Sequence, residues 1–184
     1  MPAVIGISAQ IALLLLVARL PGGPLLVTLA LSLWALRSQQ RAIQALAFTW
    51  LLVFANSALT QPLPLEYRLV VIVAAATGVH LRTRLPIPEP QRRLVLAVDV
   101  FVLFSVLGSF IVSYSLAVSL LKLALLWLTV RTVVIASTDT NDDRRSQNEW
   151  WVAFGKVLIL ASIPLLLLPA GFLRNARGFQ GLLN

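Results

Sequence analysis

Between residues 94 and 136 the chain is apolar almost throughout. As one α-helix this stretch of about 43 residues would be roughly 65 Å long, twice the hydrocarbon thickness of a bilayer. It must therefore fold back on itself. Ser113, Tyr114 and Ser115 lie near its midpoint and supply its polar turn. The pattern predicts two apolar helices, over residues 94–112 and 116–136, each long enough to cross a membrane.

The rest of the chain is of the same kind. Of its 184 residues 59% are hydrophobic and only 12% charged, and its mean hydropathy is +0.88. Soluble domains are roughly half apolar and a quarter charged, so the composition is that of an integral membrane protein. The apolar segments are rich in Leu and Ala and too long for barrel strands, so the spans are helical. The fold class expected is an all-α, polytopic transmembrane helix bundle of seven helices. Residues 1–170 form the bundle and residues 171–184 a tail. There are no cysteines, which excludes disulfides, Cys-ligated zinc and thiol catalysis. The net charge of +8 sits mainly in loops, where arginines set membrane orientation, so the partner expected is the lipid bilayer and no nucleic acid.

In chain order, helix 1 covers about residues 3–20 and has no basic segment before it, unlike a cleaved signal peptide. Pro21, Gly22, Gly23 and Pro24 make a tight turn. Helix 2 ends at Leu36 and is short for a span, which suggests local bilayer thinning or a re-entrant segment. Arg37 and Arg41 bracket a polar turn. Helix 3 covers residues 42–60, with Gln44 and Asn56 turned toward other helices. Helix 4 runs from about Leu65 to Leu81, and Ala74 and Gly78 form a small-xxx-small pair that lets a neighbour approach closely. The loop of residues 82–93 carries four arginines and three prolines, which stop it from being an amphipathic helix. It reads as a cytoplasmic topology signal, the alternative being recognition of anionic lipid. Residues 137–149 form the longest hydrophilic stretch. Trp150 and Trp151 then mark an interface, and helix 7 runs to about Ala170.

Seven spans place the N-terminus and the loops bearing Arg37, Arg41, Arg82, Arg84, Arg92, Arg93, Arg144 and Arg145 on one side. Arg19, Arg68, Arg174 and Arg177 fall on the other. The excess of arginines orients the first side to the cytoplasm and the C-terminal tail to the periplasm of a bacterial inner membrane.

Four ionisable residues fall within the spans. Asp99, Arg131 and Lys156 lie at a common depth in helices 5, 6 and 7. Lone charges in lipid are expensive, so Asp99 is expected to pair with Arg131 or Lys156. The plain reading is an interhelical ion pair with one snorkelling cation; the functional one is a proton or ion relay. Lys122 lies nearer the outer end of helix 6, where it either snorkels outward or faces a cavity holding an anion.

Catalytic patterns are nearly absent. His80 is the single histidine, and without cysteines or an acidic cluster around it no metal site is expected. No Ser-His-Asp set can be assembled on the outer face and there is no Walker-type loop. Asp139, Asp142 and Asp143 are followed by Arg144 and Arg145 and read as a solvated loop. The catalytic residues are unknown and no cofactor is expected.

The tail, GFLRNARGFQGLLN from Gly171 to Asn184, carries the functional signal. Arg174 and Arg177 follow the last apolar helix, and Gly178, Phe179 and Gly181 lead into a second apolar run that stops at Asn184. Guanidinium groups bind phosphate bidentately and stay charged at any relevant pH. The plainer role for such arginines is contact with lipid headgroups. Arg177-Gly178-Phe179, with Gly181 and Asn184, resembles the segment that opens the conserved domain of the O-antigen ligase and polymerase superfamily. The resemblance implies a membrane glycosyltransferase of polysaccharide biosynthesis. Its substrate would be an undecaprenyl-diphosphate-linked glycan, held by outer-face arginines without metal or nucleotide. Arg177 and Arg174 would then bind the lipid diphosphate. Members of that superfamily are longer, with an outer loop bearing catalytic Arg and His, so the chain reads as the N-terminal portion of such an enzyme and as inactive alone. Relatives in cyanobacteria are named putative bicarbonate transporters, which makes an anion transporter the alternative, with Lys122 as its anion contact. A membrane scaffold without chemistry is a third reading.

Overall fold

The structure, a computed structural model, describes residues 2–55, 63–83, 88–137 and 141–164. Among these the chain is all-α. Seven helices follow in order: α1 (Pro2–Ala18), α2 (Gly23–Ala35), α3 (Gln39–Phe54), α4 (Leu65–Arg82), α5 (Glu89–Val112), α6 (Leu116–Ala136) and α7 (Asn141–Ser162). Two of them are long and apolar enough to cross a membrane, α5 through Glu89–Ile111 and α6 through Leu116–Ala136. α1 and α2 are apolar but shorter. With 13 residues, α2 rises only about 20 Å.

Several boundaries differ from the sequence reading; α7 ends at Ser162, short of the end expected near Ala170, and residues 165–170 lie outside the described residues. The proline-rich segment before residue 94 does not remain a loop throughout, because α5 already starts at Glu89 with Pro90 in its first turn. A proline there forfeits no hydrogen bond, since the first N–H groups of a helix have no internal partner. The hydrophilic stretch before Trp150 is likewise helical from Asn141. It holds no glycine or proline, and Arg145 and Glu149, one turn apart, form an ion pair at 3.2 Å that supports the helix. α3 starts at Gln39, so Arg41 lies in its first turn rather than beyond a polar turn. Asn56 and the end expected for helix 3 lie outside the described residues.

The chain divides into two compact units. The first comprises Met1–Leu31, Ala47–Arg68 and Asn141–Asn184, within the described residues. Here the turn between α1 and α2 depends on two glycines. Gly22 has φ +75°, and a Cβ on Gly23 would collide with the Val17 carbonyl. α1 packs against α7, and Ile7 and Ile11, one turn apart, are buried on α1. An aromatic cluster joins α3 to α7. Phe48, fully buried, meets Trp150 and Phe154 edge-on with ring centroids 5.9 and 5.8 Å apart, and Trp150 stacks on Phe154 at 4.9 Å. Half-buried Trp150 is thus part of an aromatic cluster, and its neighbour Trp151, more exposed, meets Trp150 and Phe154 edge-on at 5.1 and 5.9 Å.

The second unit comprises Ser32–Leu46 and Leu69–Thr140, again within the described residues. The buried positions of α4, Val71, Ile72, Ala75, Gly78 and Val79, recur at helical spacing and form one stripe. Gly78 lets the C-terminal end of α2 come close: a Cβ there would lie 2.9 Å from the Ala35 carbonyl oxygen and 3.3 Å from the Leu36 Cα. One turn on, the Arg82 guanidinium donates from one nitrogen to the Gly78 carbonyl at 2.9 Å and from another to the Leu36 carbonyl. It thereby satisfies carbonyls at the ends of two helices, where basic side chains are favoured. α5 and α6 pair as a hairpin. α5 stops at Val112, Ser113 donates its N–H to the Ser109 carbonyl, and the Ser113 and Ser119 hydroxyls share a hydrogen bond of 2.6 Å across the turn. Tyr114 projects fully into the surroundings at the tip.

Candidate functional site

The apolar hairpin contains a polar cluster. Asp99 projects from α5, ten residues after its start, and Trp127 and Arg131 project from α6, four residues apart. Residues at that spacing share a helix face. Counted from the turn at Ser113–Ser115, Asp99 and the pair on α6 are about equally distant, so an antiparallel hairpin brings them level. Trp127 Nε1 donates to Asp99 Oδ1 at 2.6 Å. Arg131 donates from one terminal nitrogen to both Asp99 oxygens at 3.4 Å. Its guanidinium carbon also stands 5.1 Å from the centre of the Trp127 ring, within cation–π range.

Each partner compensates a cost of the others. The carboxylate accepts an indole N–H and a guanidinium, and the guanidinium gains a counter-charge and an aromatic face. The side chains of Asp99 and Arg131 remain 37% and 38% exposed. A dry interior would make such a pair costly to form and costly to break; at this exposure both terms are moderate. The arrangement fixes the register of the two helices. It offers one acid, one cation and one indole, which is the composition of an ion pair rather than of a chain of proton-carrying groups.

Trp127 was not legible as a partner from composition alone. Its spacing of four from Arg131 on one helix was the available signal. Arg82 is a second such case: its sequence setting suggests a loop charge, and the structure uses it as a cap.

Lys122 is exposed on α6. Lys156 belongs to the first unit, exposed on α7 beside a cleft lined by residues of α1 and α7. His80 is exposed near the end of α4, and Gln44 is half-buried on α3. Among the described residues no group of His, Cys, Asp and Glu is placed to hold a metal ion. Arg174, Arg177, Gly178, Phe179, Gly181 and Asn184, with the whole tail, lie outside the described residues, as does Asp139. Asp142 and Asp143 fall in the first turn of α7, on helical backbone rather than in a loop.

No protein-family model, curated protein or solved structure matches this chain.

Proposed function

We propose that the chain is a polytopic membrane protein, the membrane part of a glycan ligase or polymerase that handles a lipid-diphosphate-linked glycan. The membrane reading rests on one observation above the others. The apolar window of α5 is only 6% buried and that of α6 28%, and Phe101, Leu103, Phe104, Phe110 and Ile111 are all exposed. The core helix of a water-soluble domain buries such a surface. Leaving it exposed to water forfeits about 25 cal/mol per Å² of apolar area, whereas contact with lipid restores it. The Asp99–Arg131 pair fits the same setting, because a charged residue on a membrane helix finds a partner. The start of α1 and the middle of α7 line one cleft, which agrees with the N-terminus and the hydrophilic start of α7 lying on one side.

The glycan reading rests on the tail. Two arginines three residues apart, joined to Gly178-Phe179-Gln180-Gly181, provide guanidinium groups and a backbone able to turn closely around a phosphate. Arg177 and Arg174 hold the diphosphate, and Phe179 anchors the turn at the interface. The test is transfer of a lipid-linked glycan by membranes carrying the protein that contains this chain. Losing a charge-assisted contact costs about 1.5–3 kcal/mol, roughly ten- to a hundredfold in affinity, so Arg177→Ala should strongly reduce transfer at unchanged expression. Arg177→Lys should restore it only in part, because lysine lacks the bidentate fork. Unchanged transfer by Arg177→Ala removes Arg177 from the site. Bicarbonate uptake without glycan transfer by the wild type replaces this reading with anion transport.

A further inference from the structure

In the first unit, a cleft of about 380 Å³ lies between the start of α1 and the middle of α7. That volume is within the range of small-ligand sites. Its lining is mostly apolar. Ala3 and Val4 contribute from α1, and Val152 and Ala153 from α7, while Glu149 and Lys156 supply opposite charges. Glu149, Val152, Ala153 and Lys156 recur at helical spacing and so share one face of α7. Small side chains at Ala3 and Ala153 leave the room.

The charges are available. Lys156 is exposed and has no acidic partner among the described residues. Glu149 is paired with Arg145 at 3.2 Å but keeps 69% of its side chain exposed, so its carboxylate retains acceptor capacity. Helical side chains tend to lean toward the N-terminus of their helix, a direction that lets a lysine stem at position 156 reach back over Val152 toward the level of Glu149. Cation and carboxylate thus border one apolar slot.

We propose that this cleft binds a glycerophospholipid with a primary-ammonium headgroup. The phosphate meets the Lys156 ammonium, the headgroup amine donates to the Glu149 carboxylate, and the start of an acyl chain lies on Ala3, Val4, Val152 and Ala153. The pair of charges selects the headgroup. A quaternary ammonium has no N–H to donate to Glu149, and a glycerol headgroup offers that carboxylate hydroxyl donors but no counter-charge. The site rests on the membrane reading above.

The experiment offers the purified full chain in detergent an equimolar mixture of phosphatidylethanolamine, phosphatidylcholine and phosphatidylglycerol with matched acyl chains. Retained lipid is read by native mass spectrometry. Wild type should keep the ethanolamine lipid about tenfold over the choline lipid, the effect of one charge-assisted contact. Lys156→Gln should lose that retention and Lys156→Arg should keep it. Glu149→Gln should lose the ethanolamine preference and gain phosphatidylglycerol. Equal retention of the three lipids by wild type, or an unchanged preference in Glu149→Gln, overturns the site. Carbonate washing of membranes runs in parallel. A chain released by carbonate overturns the membrane reading itself, whereas a carbonate-resistant chain without the preference overturns the lipid site alone.

Discussion

Trp127 of α6 donates its indole N–H to Asp99 of α5 at 2.6 Å, the shortest of the contacts that tie the hairpin's polar cluster together. Arg131 completes the cluster from the next turn of α6, held to Asp99 by charge and to Trp127 by its ring face. A polar knot in an otherwise apolar pair of helices fixes which residues stand opposite, a matter that apolar packing alone leaves nearly degenerate.

We predict that Asp99→Asn and Trp127→Phe each lower the thermal stability of the detergent-solubilised protein. Asp99→Asn removes the counter-charge of Arg131, and Trp127→Phe removes one N–H donor and the stronger cation–π ring. With both charged side chains more than a third exposed, about 1 kcal/mol per change is expected rather than the larger cost of breaking a fully buried pair. For a chain of this size that is a fall of roughly 2–4 °C. Melting temperatures equal to wild type for both variants would show that the cluster carries no stability.

Two glycines should respond in opposite ways to alanine. Gly78→Ala puts a Cβ 2.9 Å from the Ala35 carbonyl oxygen, a backbone atom that cannot swing aside, and should destabilise by about 1–3 kcal/mol. Gly108→Ala on α5 meets nothing within 4 Å and gains helix propensity worth about 1 kcal/mol, so it should be neutral or stabilising. Thermal unfolding of the two variants side by side is the measurement, and a Gly78→Ala protein as stable as Gly108→Ala would contradict the close approach at Gly78.

Arg82 should be more sensitive to shape than to charge. Its guanidinium reaches the Gly78 and Leu36 carbonyls at once, a span that a single ammonium does not reproduce. Arg82→Lys is expected to lower the melting temperature nearly as much as Arg82→Ala. Full retention of stability by the lysine variant would reduce Arg82 to a surface charge.

Orientation can be read with reporter fusions. Seven spans with a cytoplasmic N-terminus require reporters at Pro88 and at Asn184 to signal opposite sides of the membrane. Reporters on one side would mean that one of α5, α6 and α7, the helices between the two positions, does not cross the bilayer.

The sequence by itself determined the class and the order of the elements. Long apolar runs, interrupted by prolines, glycines and arginines, encode helices and their breaks locally, so the turn at Ser113–Ser115 and the bounds Leu116–Ala136 of α6 were legible residue by residue. A partner for Asp99 was legible as Arg131 or Lys156, because rise along a helix is fixed, and the structure pairs it with Arg131. Tertiary structure alone decided which groups meet. That Trp127 reaches Asp99, that Trp150 stacks on Phe154 against Phe48, and that Gly78 admits the Ala35 carbonyl all depend on how one helix is rotated against another. No local pattern records that rotation. Leucine-rich faces are nearly interchangeable partners, and the choice among them is made by shape and by a few polar groups that must be satisfied together.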